Sequence, residues 1–378
     1  IYIPILLLFA AFLFLPLGIL FVRSFETADG INLSNYLTVL SNAELMKSFG
    51  NSVKISVLTA VITTVLAFFL AYSIHCTRLY RPLKSVIKTG ILIPMLLPTI
   101  TFGFAIIYSF GNQGIITKIF GRNLFDIYGF NGLLIGYVIY TLPSAFLLIN
   151  NSFKYMDKKF IIVSKLMGDG TIRSFLNTII RPLSGTLGGA FVLSFILSFT
   201  DFGIPASVGG TYSVVATQLY QVMLGSIPDF NNGAVIAILM LIPVVFSVFL
   251  LNYLEKLNFH YDKFSDIELT QHKGRDFCFG SISLLVLIGM FSVFAVMFIA
   301  PFLTSFPYDL SFTLKHFIDT FQSSDLTAVY KNSLFVALMT AVLGTFIAFS
   351  SAVLNVRTPL KGKSSRDVIS MLPNTVPG

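Results

Sequence analysis

Apolar runs of about 20 residues recur along the whole chain and constrain its fold more than any other feature. A helix of that length crosses roughly 30 Å of hydrocarbon, because each residue adds about 1.5 Å. Eight runs meet this condition, and a ninth begins near Val368. The predicted spans are 2–22, 51–75, 89–110, 132–150, 183–206, 232–252, 278–303 and 332–356. They predict an all-α membrane protein, a polytopic helical bundle.

The composition agrees with a lipid environment. Charged residues make up 11% of the chain, whereas soluble domains carry about 25%. The net charge of +8 does not indicate nucleic-acid binding, because no polar domain gathers the basic residues on one surface. The four histidines lie on different loops, so we predict neither a metal site nor a catalytic base. We therefore expect a chain that is not an enzyme.

The basic residues predict the orientation of the spans. Of the 25 Lys and Arg residues, 18 fall in one set of alternate loops. Cytoplasmic loops carry the excess of Lys and Arg in membrane proteins, so we assign this set, and the N-terminus, to the cytoplasm. Since the chain starts at Ile1 inside an apolar run, we also expect a trimmed N-terminus. The expected location is the inner membrane, as a multi-pass protein.

An internal repeat predicts the domain organisation. The segment 51–68 matches 332–349 at a spacing of 281 residues, including the polar pairs Asn51/Asn332 and Ser52/Ser333. The copies begin six predicted spans apart, so both insert with the same orientation, unlike inverted-repeat transporters. We predict two tandem parallel six-span lobes with the second truncated: 1–256 as the first lobe, 257–277 as a cytoplasmic linker and 278–378 as the start of an incomplete second lobe.

The cytoplasmic loop 151–182 has a helical pattern. Phe160, Val163 and Met167 recur at helical spacing until Gly168-Asp169-Gly170 interrupts the run. A second predicted helix follows, with one apolar face formed by Ile172, Phe175, Leu176, Ile179 and Ile180. A short amphipathic helix of this kind fills a groove on a partner protein or lies on lipid headgroups, and the pattern leaves both readings open.

The same loop resembles the signature loop of binding-protein-dependent ABC permeases. That loop reads Glu-Ala-Ala, three residues, Gly, and later an apolar residue before Leu-Pro. Here Ile162-Val163-Ser164 precedes Lys165-Leu166-Met167 and Gly168, and Ile180-Arg181-Pro182 follows. Ile162 thus replaces the family's Glu, and Arg181 its Leu. The resemblance implies an ATPase-coupling loop formed by Val163, Ser164, Lys165, Met167, Gly168 and Asp169.

The resemblance also implies the partners of the chain. They are an ATP-binding cassette ATPase dimer, which would bind ATP and Mg²⁺, and an extracytoplasmic solute-binding protein on the outer loops near 24–50, 111–131 and 207–231. No glycine-rich phosphate-binding loop ending in Gly-Lys-Ser or Gly-Lys-Thr occurs in the sequence. We therefore expect no cofactor in this chain.

The substrate expectation rests on a second resemblance. The segment Thr200-Asp201-Phe202-Gly203-Ile204-Pro205 is similar to permeases of the 2-aminoethylphosphonate branch, and ferric-iron relatives carry a similar Asp-Phe-Gly. We expect a phosphonate importer, with ferric iron or another small anion as the alternative. A carrier driven by an ion gradient is a second alternative, although the loop from Cys76 to Lys88 lacks the acids that such carriers use.

Four residues are candidates for the transport pathway: Asp201, Phe202, Gly203 and Pro98. A carboxylate inside a membrane is costly and is by default a functional candidate. The alternative places Asp201 at the outer interface, where it would cap the short turn from Phe202 to Gly210. Pro94 and Pro98 are predicted to break the third span.

Overall fold

The computed structural model describes residues 7–8, 10–27, 30–156, 159–255 and 272–357. Helices form nearly all of their regular structure, so the protein is a polytopic all-helical membrane protein. The helices of the N-terminal part are α1 Ala10–Phe25, α2 Ser34–Ser41, α3 Ala43–Cys76, α4 Arg81–Gly90, α5 Thr99–Phe110, α6 Ile115–Phe120 and α7 Phe130–Lys154.

The remaining described helices include two short helices in the loop 151–182 and the helices that follow them. These are α8 Lys159–Leu166, α9 Thr171–Phe175 with a π-helical extension Leu176–Ile180, α10 Ser184–Thr200, α11 Gly203–Val208, α12 Val215–Leu224, α13 Phe230–Glu255, α14 Lys273–Ile299, α15 Lys315–Gln322 and α16 Ser324–Arg357. Two antiparallel hairpins pair β1 Glu26–Thr27 with β2 Gly30–Ile31 and β3 Leu303–Ser305 with β4 Asp309–Phe312.

Five of the described helices are long and apolar enough to cross a membrane: α3, α7, α13, α14 and α16. Two further predicted spans are bent. The third bends by 107° between Arg81–Leu96 and Thr99–Phe120, and the fifth by 66° between Thr171–Ile180 and Ser184–Thr200. The predicted break of the third span at Pro98 is therefore present, because Pro98 lacks an N–H and restricts the residue before it.

Some predicted boundaries also differ from the structure. Helix α3 begins at Ala43 rather than at 51, because the Asn42 side chain accepts hydrogen bonds from the N–H groups of Glu44 and Leu45 at 3.0 and 3.1 Å. Such a cap starts a helix before its apolar run begins. Helix α14 begins at Lys273, inside the predicted linker. The rest of that linker up to 271, and the predicted ninth span, lie outside the described residues.

Helix α3 forms the centre of the bundle. It packs between α7 and α10, while α13 covers α10, and α14 lies against α3 and α5. Polar side chains connect these helices. The hydroxyls of Thr63 and Thr141 are 2.8 Å apart, and the Ser52 hydroxyl accepts a 2.8 Å hydrogen bond from the Val215 N–H. Polar contacts of this kind hold helices together where lipid offers no hydrophobic driving force.

The internal repeat has a structural counterpart. Shifted by 281 residues, the bounds of α2 become those of α15, and the bounds of α3 become those of α16. Each pair of helices follows a short antiparallel hairpin. The repeated sequence thus folds into the same order of elements twice, which supports a duplication.

A close helix contact offers a test of this packing. A Cβ atom added to Gly103 on α5 would lie 1.6 Å from Ser207 Oγ and 2.5 Å from Ser207 Cβ, whereas one added to Gly289 on α14 would meet nothing within 4 Å. Overpacking costs about 1–3 kcal/mol. We expect Gly103→Ala to lower the thermal unfolding midpoint of the purified protein in detergent and Gly289→Ala to leave it unchanged or higher. Equal midpoints would contradict the packing of α5 on α11.

Candidate functional site

The loop 151–182 forms a sharp elbow at Gly168. Its φ is +79°, in the left-handed region that favours glycine. The Met167 N–H donates to the Val163 carbonyl at 2.9 Å, and the Asp169 N–H donates to the Ser164 carbonyl at 3.1 Å. These hydrogen bonds end α8 and turn the chain into α9, as the glycine predicts.

Two of the predicted coupling residues stabilise this elbow from within. The Ser164 hydroxyl donates a 2.8 Å hydrogen bond to Asp169 Oδ2, and Ser164 is buried. Asp169 Oδ1 also lies 3.4 Å from Nε of Arg173 in α9. Ser164 and Asp169 therefore fix the angle between α8 and α9. The side chain of Lys165, another predicted coupling residue, lies outside the described part of the chain.

Apolar side chains project from the elbow on both sides of Gly168. Leu166 is 82% exposed, Met167 79% and Ile172 77%, and Ile162 and Val163 are also exposed. We call these five residues the loop apolar surface. Leu166 and Ile172 were not among the predicted coupling residues, although the helical period that selects Val163 also reaches Leu166. A cleft of about 390 Å³ opens beside this surface, between α8 and the π-helical segment.

The predicted single apolar face on the second helix is wrong. Ile179 is buried, while Ile172 is exposed and Leu176 is half exposed. The reason is the π-helical turn at Leu176–Ile180, which has more residues per turn than an α-helix and rotates the side chains that follow it. Ile172 therefore points away from the bundle and Ile179 into it.

A second site forms where the break at Pro98 meets the break between α10 and α11. The Asp201 side chain is buried, and its Oδ2 accepts a 3.0 Å hydrogen bond from the Ile204 N–H at the start of α11. The Thr99 side chain, at the start of α5, lies close to the same carboxylate. Asp201 thus caps the start of α11, whose N–H groups lipid could not satisfy.

The four predicted pathway residues come together at this site. Pro98 precedes Thr99, and a Cβ on Gly203 would lie 2.2 Å from Thr99 Oγ1, so the two chain breaks are in contact. The Phe202 ring stacks on Tyr220 of α12 at 4.6 Å. Thr99 is the partner that the sequence reading missed, and its position directly after Pro98, at a helix start, was the available signal.

The capping role given in the alternative is observed, because Asp201 Oδ2 accepts the hydrogen bond from the Ile204 N–H at the start of the short helix α11. The position of Asp201 relative to the outer interface stays a prediction.

Within the described residues, no group of three or more His, Cys, Asp or Glu side chains is placed to hold a metal ion. The bundle and its bent helix pairs define a class of protein: a polytopic helical membrane protein. The family follows from sequence. Residues 63–256 match the model of the binding-protein-dependent transport system inner membrane component, about half of the chain. The chain belongs to this family of ABC importer permeases, which are transport components rather than enzymes.

Individual relatives align over nearly the whole chain. A putative ferric transport system permease protein, FbpB 1, of Haemophilus influenzae is 24% identical over 99% of this chain and 61% of its own length. The ferric transport system permease protein FbpB of Actinobacillus pleuropneumoniae is 25% identical over 99% of this chain and 56% of its own. The chain thus spans about three fifths of the length of these relatives. They do not support the expected phosphonate branch and agree with the ferric alternative.

The fold also resembles a solved transporter. The crystal structure of a bacterial alginate ABC transporter in complex with an alginate pentasaccharide-bound periplasmic protein superimposes with a TM-score of 0.54 at 12% identity. The match covers 68% of this chain and 91% of the other. At this identity the likeness concerns the fold alone.

Two substitutions of Asp201 distinguish the contribution of its hydrogen bond from that of its charge. Asp201→Ala leaves the Ile204 N–H without its acceptor, at a cost of about 1–3 kcal/mol, so we expect a lower thermal unfolding midpoint. Asp201→Asn keeps a carbonyl oxygen in the same place, and we expect a midpoint near that of the wild type. If Asp201→Asn lowered the unfolding midpoint as much as Asp201→Ala, the result would contradict a capping role for the carboxylate.

Proposed function

We propose that this chain is the membrane-spanning subunit of an ATP-driven importer and that a separate ATPase dimer binds the loop apolar surface. The observation that carries this proposal is a rigid elbow with exposed Leu166, Met167 and Ile172 at its tip. Contiguous exposed apolar side chains mark an interaction surface. Family membership supports an ATPase as the partner, because binding-protein-dependent importers are driven by one.

The orientation and domain organisation are part of the same proposal. The distribution of Lys and Arg puts the elbow and the N-terminus in the cytoplasm, where ATP is available. The 281-residue shift between α3 and α16 supports a first lobe at 1–256 and a second lobe that starts near 278. The power stroke would move the elbow and rock one lobe against the other.

The opposite side of the protein would bind an extracytoplasmic solute-binding protein. A cleft of about 550 Å³ opens there between the ends of α5 and α11. Its lining is polar and aromatic and includes Asn112, Asn123, Asp126, Tyr128 and Thr211. A polar cleft of this size suits a side chain or loop of a docking protein, and it lies in two of the three predicted docking regions.

We propose ferric iron as the substrate that the system imports. The support is the names of the two relatives that align over 99% of this chain. In the permease itself, Asp201 is buried and already accepts a hydrogen bond from the Ile204 N–H. We therefore assign selection of the metal to the binding protein, and to Asp201, Phe202, Gly203 and Pro98 the role of shaping the pathway where the break at Pro98 meets the break between α10 and α11.

The elbow can be tested with two neighbouring glycines. A side chain on Gly168 or Gly170 would meet nothing within 4 Å, but only Gly168 has a positive φ. A side chain at a left-handed position costs about 1–2 kcal/mol. We expect Gly168→Val to lower ATP hydrolysis stimulated by the loaded binding protein in the reconstituted complex, because the strained elbow changes the angle of the loop apolar surface.

Gly170→Val is the matched control, since its backbone is extended and accepts any residue. We expect its stimulated hydrolysis to remain near that of the wild type. Equal stimulation in both variants would count against the elbow as the coupling element, and binding of the loop to lipid vesicles without the ATPase would favour the headgroup alternative.

The substrate is tested in proteoliposomes that contain the permease and its ATPase with ATP inside. We expect uptake of ⁵⁵Fe(III) from the loaded cognate binding protein, and no stimulation of ATP hydrolysis by 2-aminoethylphosphonate. Uptake of 2-aminoethylphosphonate without iron uptake would overturn the substrate assignment while leaving the ATP-driven mechanism intact.

A further inference from the structure

Aromatic rings from four helices meet at the end of the bundle that we assign to the cytoplasm. The loop contributes Phe175 of α9, α3 contributes Phe68, Phe69 and Tyr72, α7 contributes Phe153, and α14 contributes Phe279. We call these six residues the aromatic cluster. Their neighbouring ring centroids are 4.6 to 6.4 Å apart, the range of favourable aromatic pairs.

Tyr72 lies at the centre of this cluster. Its ring centroid is 6.0 Å from that of Phe175 on one side and 4.6 Å from that of Phe279 on the other. Tyr72 and Phe68 are each 8% exposed and Phe153 is 1% exposed. Interiors packed this tightly compress little and transmit a displacement from one side chain to the next.

The two ends of this path belong to different parts of the protein. Phe175 follows the elbow by a few residues, whereas Phe279 lies on α14, the first long helix after the first lobe. A second contact of the loop region, the 2.8 Å hydrogen bond between Ser152 and Thr186, joins α7 to α10 within the first lobe. The aromatic cluster connects a loop side chain to α14 through Tyr72.

Polar contacts tighten α14 against α3 at the same level. The Ser283 hydroxyl donates to the Ser73 hydroxyl at 2.8 Å, and the Ser73 hydroxyl donates to the Phe279 carbonyl at 3.2 Å. The Arg275 guanidinium donates to Asp276 Oδ1 at 2.8 Å and also lies close to the Tyr72 side chain. These contacts hold the start of α14 against α3 beside Tyr72.

We propose that Tyr72 and Phe279 are coupling residues that carry the movement of the cytoplasmic elbow from Phe175 to α14, and so from the first lobe to the second. When the ATPase moves the elbow, Phe175 displaces the Tyr72 ring, and Tyr72 displaces Phe279 and the start of α14. The inference rests on the proposed ATP-driven function. It adds to that function a route by which the loop in the first lobe also moves α14, the first long helix of the second lobe.

The test uses the full-length chain reconstituted with its ATPase and with cognate binding protein loaded with Fe(III). We expect Phe279→Leu to keep the ATPase subunit bound, as judged by co-purification, and to keep basal ATP hydrolysis. Its stimulation by the loaded binding protein should fall at least about fivefold, the low end of typical coupling between sites. Phe279→Tyr, which keeps the ring, should restore stimulation.

Phe277→Leu is the matched control. Phe277 lies two residues away on the same helix and is 78% exposed, so its loss should leave stimulation near that of the wild type. A general loss of stability would lower basal and stimulated hydrolysis together, whereas loss of coupling lowers their ratio.

A native cysteine provides a second measurement that does not depend on assembly of the Phe279 variant. Cys278 is exposed and the other cysteine, Cys76, is buried, so a maleimide fluorophore labels the start of α14. We expect ATP and Mg²⁺ to change its emission in the wild-type complex and not in Tyr72→Leu. An unchanged emission in the wild type, or an equal change in both, would overturn the proposal.

The outcomes also separate this inference from the function on which it rests. If the wild-type complex shows no ATP hydrolysis in response to loaded binding protein, the importer proposal fails. If the wild type responds and Phe279→Leu responds equally, the importer proposal stands and the route through Tyr72 and Phe279 is wrong.

Discussion

Lipid offers no hydrogen bonds to the backbone, and this constraint governs the places where the protein departs from a simple helix bundle. A broken span exposes N–H and C=O groups that must find partners inside the protein. The third span breaks at Pro98, and the break between α10 and α11 lies against it. The Asp201 carboxylate accepts a hydrogen bond from the Ile204 N–H at the start of α11 and lies close to Thr99 at the start of α5, so one buried acid occupies the place where the two chain breaks meet.

The elbow between α8 and α9 combines a fixed backbone with exposed apolar side chains. Gly168 gives the elbow its angle, and the hydrogen bond from Ser164 to Asp169 holds it. The apolar side chains at the tip are exposed, while Phe175 packs into the aromatic cluster. An element built in this way can receive a force on one side and deliver it to the bundle on the other.

Backbone chemistry made part of this structure predictable. Pro98 predicted the break in the third span, Gly168 predicted the turn, and the 281-residue repeat predicted the paired helices α3 and α16. These features depend on residues that act locally or on simple comparison of the sequence with itself. The family, too, was recognisable from the spacing between Ser164, Gly168 and Pro182, whereas the substrate branch was not.

The remaining features depend on contacts that no local pattern specifies. Ser73 and Ser283 form a hydrogen bond although they are 210 residues apart, and Tyr72 meets Phe279 by the same packing of α14 on α3. Thr99 lies close to Asp201 only because the chain break at Pro98 packs against the chain break between α10 and α11. The π-helical turn at Leu176–Ile180 rotates one helix face, and a period of 3.6 residues cannot anticipate it.

The central claim is that this bundle has no energy source of its own and is driven through its cytoplasmic elbow. Uptake into proteoliposomes tests it most directly, with the loaded binding protein outside, ATP inside, and the ATPase subunit either included or omitted under an imposed ion gradient. The account predicts uptake only when the ATPase is included. Uptake of equal rate from the permease and ion gradient alone would contradict it.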